Sequence, residues 1–215
     1  MASRYRPNPN PGPPSDMLTA PQSLLRDRLL AALAVPPAAD SSDYDLDSPA
    51  PGAADLRPAG VLAAFDAEGR LLLTKRASSL RHHAGQIALP GGKVDPTDAD
   101  ATAAALREAR EEIGLDPAQV EILGTLPAHR TITNYAMTPV LGLIRGGFTP
   151  VAEPGEVEEA FRVPFAHIAD PASYRIERRR WRGSWRSYYV APWGPYYIWG
   201  ATARVLHALA LRLNA

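Results

Sequence analysis

Apolar residues along this chain change their period several times, and each change marks a different kind of element. QSLLRDRLLAALA, over about Pro21 to Leu33, repeats leucine at helical spacing and predicts an amphipathic helix that stops before Pro36-Pro37. GVLAAFD (60–66) and RLLLTKR (70–76) are strand-like runs around Ala67-Glu68-Gly69 and predict a hairpin. VEILGTLPA (120–128) and AMTPVLGLI (136–144) predict two more strands, with the polar loop HRTITNY between them. In that loop His129, Arg130 and Tyr135 are candidates to touch a ligand, although such residues are more often plain loop residues. EPGEVEEAFRVPFAHIAD (153–170) predicts a strand that turns into a helix at Val163-Pro164, and a closing helix is expected from Ala201 onward.

Two stretches lack a buried period. Residues 1–17 are rich in Pro and Asn and are expected to form a disordered or extended tail. Residues 36–58 read as a polar connector whose acids, Asp40 to Asp47, are expected to be solvated. The expected organisation is a tail (1–17), a helix with connector (18–58) and one domain (59–215).

The chemistry concentrates in Gly91 to Leu115, GGKVDPTDADATAAALREAREEIGL. Leu106, Ala109 and Ile113, at i, i+3 and i+7, predict the buried stripe of a helix. Glu108, Glu111 and Glu112 are expected to crowd another face. Their like charges repel unless a cation sits among them, and their hard oxygens suit Mg²⁺ or Mn²⁺ rather than zinc. The bland alternative is a solvated face with ordinary ion pairs such as Arg107 to Glu111. An acid-rich cap before the helix and Gly114 after it mark its ends. Gly91-Gly92 is expected to form a turn that lets a ligand approach the backbone closely.

REAREEIGL (107–115) resembles the end of the Nudix box, G-x5-E-x7-R-E-U-x-E-E-x-G-U. The front half departs from it: counting forward from Gly92 reaches Asp98 where the box has Glu, and counting back from Arg107 reaches Ala99. Upstream, LLTKRASSLRHHAGQIALPGG (72–92) is similar to the signature of the coenzyme A pyrophosphatase branch, LLT-x-R-S-x3-R-x3-G-x3-F-P-G-G. Ala77 replaces its small Ser and Leu89 its aromatic residue. Glu156-Val157, Val163-Pro164-Phe165 and Ile198 to Ala203 are also like that branch, so the resemblance spans roughly 60–210.

The resemblance implies a Nudix-type α/β/α sandwich with a mixed sheet and an added N-terminal helix. It implies a metal-dependent enzyme that splits the pyrophosphate of coenzyme A or its thioesters into 3′,5′-ADP and 4′-phosphopantetheine, or its acylated form. Glu108, Glu111 and Glu112 would hold the metal and Arg107 would organise them. Glu111 or a late-loop glutamate, Glu153 or Glu156, would act as base. Arg76 and Arg81 would grip the diphosphate by bidentate bonds, with Gly85, Gly91 and Gly92 shaping the loop. Two other readings stay open: a Nudix enzyme for another nucleoside diphosphate derivative, such as ADP-ribose, a dinucleotide or a damaged nucleotide, and a Nudix-fold ligand sensor without turnover.

Composition narrows the partners. Lys plus Arg and Asp plus Glu both number 23, so no global charge favours nucleic acid or an anionic membrane. The basic, aromatic stretch 174–200 has the look of a nucleic-acid surface, but period-2 alternation in a hairpin turning at Arg182-Gly183-Ser184 explains it better. One or two of its arginines are candidates for the substrate's phosphates. Cysteine is absent, and no apolar run approaches a membrane span. The expectation is a cytoplasmic protein, homodimeric by analogy with relatives.

Overall fold

The computed structural model of the chain describes residues 20–36, 41–47, 55–181 and 183–215. The expected tail therefore lies outside the described residues, as do Asp40 and Arg182. In chain order the elements are α1 (Ala20–Ala34), β1 (Ser41–Ser42), β2 (Arg57–Phe65), β3 (Arg70–Arg76), β4 (Ile87–Ala88) and β5 (Gly91–Lys93). Then come α2 (Ala101–Ile113), β6 (Val120–Thr125), β7 (His129–Arg130), β8 (Tyr135–Ile144), β9 (Val157–Pro164) and α3 (Phe165–Ala169). The hairpin β10 (Arg175–Trp181) and β11 (Ser184–Val190) and the helix α4 (Gly200–Leu213) complete the chain.

A nine-stranded mixed sheet forms the middle layer. Its spine is β2 parallel to β8, in register from Arg57 opposite Tyr135 to Phe65 opposite Leu143. β3 and β5 run antiparallel to β2, and β9 runs antiparallel to β3. Alternation along the strands divides two cores. Val61, Ala63, Phe65, Leu71, Leu73, Leu141 and Leu143 face α1, α3 and α4, whereas Leu62, Ala64, Leu72, Val140 and Ile144 face α2. The α/β/α sandwich expected from the sequence is thus present. Both faces of the spine are covered, which is why β2 and β3 read as continuous apolar runs. Arg212 of α4 donates to the carbonyls of Ala32 and Val35, satisfying the open end of α1. Among the described residues no helix is long and apolar enough to cross a membrane.

Three of the connector's acids, Asp43, Asp45 and Asp47, are not merely solvated but bond to distant parts of the chain. Asp43 accepts from Ile132 N–H at 2.9 Å and lies 3.0 Å from His129 Nε2. Asp45 pairs with Arg204 of α4 at 2.8 Å, and Asp47 accepts from both the amide and the hydroxyl of Ser187 on β11. Residues 41–47 therefore form a strap stapled to three separate parts of the fold. β1 within it runs parallel to β7. His129 is fully buried, held between Ser41 Oγ and Asp43, so it positions the strap and cannot meet a ligand.

Candidate active site

The site starts from α2. Asp100 caps it by accepting Ala103 N–H at 2.8 Å, and Gly114, at φ 71°, ends it in the left-handed conformation. Ala105, Ala109 and Ile113 pack on the sheet, while Leu106 is only half-buried at the margin. Small residues bring the helix close. A Cβ at Gly60 of β2 would lie 1.8 Å from the Ala101 carbonyl oxygen.

This close seat separates the three box glutamates. Glu111 and Glu112 are successive residues and diverge by roughly 100° around the helix, so they do not share a face. Glu112 is 3 % exposed, whereas the Glu111 side chain is 56 % exposed and pairs with Arg107 at 3.0 Å. Glu108, half-buried, lies between them.

Arg107 is the organiser on the outer side. Its guanidinium donates to Asp98 through Nε and NH2 at 3.0 and 2.9 Å, to Glu108 at 3.1 Å, to Glu111 and to the Lys93 carbonyl. Asp98 also accepts Asp95 N–H at 2.8 Å. Its hydrogen bonds from Arg107 hold its carboxyl below the usual range. The shorter acid thus anchors Arg107 despite the extra residue in the box, because the 95–98 turn carries it to the guanidinium. The same bonds raise the Arg107 pKa further, so its charge is permanent.

On the inner side a third carboxylate arrives from far along the chain. The pairing of β3 with β9 shifts register between Lys75 and Arg76, and Ala77 N–H donates to the Glu156 carbonyl at 2.8 Å. That irregularity sets exposed Glu156 beside the helix. Glu108, Glu112 and Glu156 each offer an oxygen within 4.8 Å of the others. Glu153 N–H donates to the Glu112 carbonyl, and the acids further along are used elsewhere. Glu158 pairs with Lys75, and Glu159 accepts from the Tyr196 hydroxyl.

Glu112 is the electrostatic centre of this group. Burial, aided by Glu108 and Glu156, pushes its pKa up to about 8 despite Arg76. Arg76 stands 3.7 Å away, too far for a hydrogen bond, and the Gly91 amide reaches Glu112 at a long 3.4 Å. Burial raises Glu108 as well. Three converging carboxylates with so little compensation from the protein fit a hard divalent cation of the Mg²⁺ or Mn²⁺ kind.

Gly91 and Gly92 belong to β5 rather than to a turn, and the protein itself fills the space beside them. A Cβ on Gly91, at φ 153°, would lie 2.3 Å from the Gly60 carbonyl oxygen, and one on Gly92 would lie 2.3 Å from Glu108 Oε1. Gly92→Ala collides only with the end of a flexible side chain. The variant is expected to melt within a few degrees of the parent yet bind Mn²⁺ some 10–100-fold more weakly, as for loss of a supporting contact at a metal site. Parallel melting curves and Mn²⁺ titrations check this split; weakening through misfolding would appear in both.

A cleft of about 690 Å³ opens beside the acids. Arg76, Arg81, Gly91, Gly92 and Lys93 line its near wall, and Tyr135 lies nearby with Arg57 stacked 4.1 Å over its ring. Gly85 does not line the cleft. At φ 68° it turns the signature loop so that its N–H bonds the Arg76 carbonyl and Arg76 N–H bonds Gln86. Ala77 and Leu89, the two replacements in that signature, are both buried. The remaining walls come from the strap, the β10–β11 hairpin and the start of α4. Period-2 alternation of arginine and aromatic residues was the one sequence signal for the hairpin's share.

Residues 55–182 match the NUDIX domain. The uncharacterized Nudix hydrolase NudL of Cronobacter sakazakii is 41% identical over 147 residues, 68% of this chain and 77% of its own length. NudL of Escherichia coli K12 is 42% identical over 144 residues, 67% of this chain and 75% of its own. Among solved structures, the MutT protein of Methanosarcina mazei Go1 aligns at 23% identity and TM-score 0.43, over 52% of this chain and 79% of that one. With the NUDIX match over residues 55–182 and relatives more than 40% identical over about two thirds of its length, the chain belongs to the Nudix hydrolase family.

Proposed function

We propose that this enzyme hydrolyses the pyrophosphate bond of coenzyme A or its thioesters, giving 3′,5′-ADP and 4′-phosphopantetheine or its acylated form. The observation that carries the proposal is the placement of Arg76. The signature loop holds this residue at the boundary between the carboxylate group and the cleft, 3.7 Å from Glu112.

In this reading Glu108, Glu112 and Glu156 would hold Mg²⁺ or Mn²⁺, with exposed Glu111 on the solvent side of the group. A cation held there would supply charge neutralisation for the diphosphate and a lowered pKa for a water. Arg76 and Arg81 grip the diphosphate oxygens with guanidinium forks. Gly85 sets the loop that aims Arg76, and Gly91 and Gly92 leave room for the backbone and for Glu108. Arg107, anchored by Asp98, fixes the rotamers of Glu108 and Glu111. Glu156, carried on the late loop and exposed, would give one oxygen to the cation and use the other as proton acceptor for the attacking water, with Glu111 as the other carboxylate in reach of solvent. The proposal includes a cytoplasmic homodimer.

The test is hydrolysis of coenzyme A, ADP-ribose, a dinucleotide and an oxidised nucleoside triphosphate side by side with Mg²⁺, with products separated by chromatography. Coenzyme A is expected to give the two halves named above at the highest kcat/KM. Cleavage of one of the others with coenzyme A left intact overturns the substrate assignment.

A further inference from the structure

Tyr135, Tyr188, Tyr189 and Trp199 all line the cleft, and the last three are engaged along the wall itself. Trp199 carries Arg179 at 4.2 Å and meets Tyr188 edge-on at 5.4 Å. Tyr189 stacks on His207 at 4.4 Å and has Arg204 at 5.4 Å. Tyr135 is different. Among the described residues its ring contact is Arg57, whose guanidinium lies 4.1 Å over the centroid. Arg57 does not line the cleft, so its stack covers the ring face turned away from the cleft and leaves the other face toward it.

The ring is held from its backbone outward. In the parallel pairing of β2 with β8, Arg57 stands beside Tyr135. Tyr135 N–H donates to Thr131 Oγ1 at 3.0 Å, and the Tyr135 carbonyl accepts Thr131 N–H at 2.9 Å. Arg57 donates from its amide to the Asn134 carbonyl and from its side chain to the Thr133 carbonyl at 3.1 Å. Backbone and guanidinium thus clamp residues 131–135, and little ordering of the ring is left for a ligand to bring about. Met137, two residues on, shares the Tyr135 face of β8, lines the cleft and packs on the core. A preset ring beside an apolar side chain suits a flat group with a π-face. A flexible amide chain such as the pantetheine arm has no face to stack.

We propose that Tyr135, backed by Arg57, is the platform on which the substrate's nucleobase stacks. The nucleoside half then lies where the strap meets the 129–135 loop, joined there by the Asp43 bond to Ile132 N–H. That the ligand is a nucleotide rests on the proposed function.

The test titrates AMP and ribose 5-phosphate calorimetrically into the full-length protein without metal. Wild type is expected to bind AMP about 10–100-fold tighter, the effect of one base stacked on an aromatic ring. Tyr135→Leu should bring the two affinities together, and Tyr135→Phe should keep most of the difference. Arg57→Met should weaken AMP about threefold, because an unbacked ring must be ordered on binding. Arg57 is exposed, so this variant reads the stack even where Tyr135→Leu does not fold; unchanged AMP affinity in it overturns the backing role. Equal binding of the two ligands by wild type, or a difference that survives in a Tyr135→Leu protein with parental melting, overturns the platform. A second arm follows coenzyme A hydrolysis with Mg²⁺, where Tyr135→Leu should raise KM about tenfold and leave kcat unchanged, as for uniform binding lost. Coenzyme A left uncut by wild type while AMP binding still depends on Tyr135 removes the substrate assignment and keeps the platform. Coenzyme A cut with an unchanged KM in Tyr135→Leu removes the platform alone.

Discussion

Glu112→Gln is expected to lower hydrolysis by about 10³-fold while making the metal-free protein more stable in mild alkali. The activity loss follows from removing the negative charge of the most buried member of the three-carboxylate group, since cation stabilisation of the transition state supplies several kcal/mol and each 1.36 kcal/mol is tenfold in rate. The stability gain has the opposite origin. Burial lifts the folded-state pKa of Glu112 to about 8, above its ordinary value of 4.5. Below pH 4.5 the group is neutral whether folded or unfolded and nothing is lost. As pH rises toward 8 the unfolded chain gives up its proton first, so folding stability falls across that window. Glutamine stays neutral and escapes the loss, on the order of a few kcal/mol by pH 8.5. Urea unfolding of both proteins in chelator at pH 5 and 8.5 should show curves that converge in acid and separate in alkali. Added Mn²⁺ should then raise the wild-type midpoint and leave the variant's nearly unmoved. Wild type that is equally stable at both pH values without metal would contradict the buried charge.

Gly60→Ala is expected to be the most damaging single methyl on the sheet. Its Cβ would sit 1.8 Å from the Ala101 carbonyl oxygen and 2.8 Å from the carbonyl carbon, both backbone atoms of α2 that cannot rotate aside. The helix must lift from β2, at a cost of about 1–3 kcal/mol or more for an overpacked core. The melting temperature should fall by roughly 5–10 °C. Because α2 also carries Glu108 and Glu112, a shift of about 1 Å should cost on the order of 10²-fold in rate even where the variant remains folded. Gly147→Ala, with open space around its Cβ position, serves as the neutral control. A Gly60→Ala protein with parental melting and turnover would show that helix and sheet are not pressed together.

Much of this arrangement is legible in the residues. The leucine spacing of α1, the doubly buried runs of β2 and β3, and the Asp100 and Gly114 ends of α2 are local signals, and local physics reads them. β2 starts at Arg57 rather than Gly60 because its parallel partner at Tyr135 and Ala136 extends it, which no local pattern records. Helical periodicity orders Glu108, Glu111 and Glu112 around an axis but does not say how closely the sheet approaches. Alanines and Gly60, weak in hydropathy, decide that Glu112 goes under. The strap escaped for a different reason: Asp43, Asp45 and Asp47 find partners 86, 159 and 140 residues away. Their alternation with Tyr44 and Leu46 was the one local hint. Glu156 was nameable from family resemblance, but its meeting with Glu108 and Glu112 depends on an irregular pairing between distant strands.

The domain match ends at residue 182 and begins at 55, so it contains every box acid but neither the strap nor α4, each of which supplies part of the cleft wall. Part of the container is therefore written outside the length of chain that carries the acids. Changes in the leading strap or closing helix would therefore reshape what the cleft admits while leaving the box acids in place.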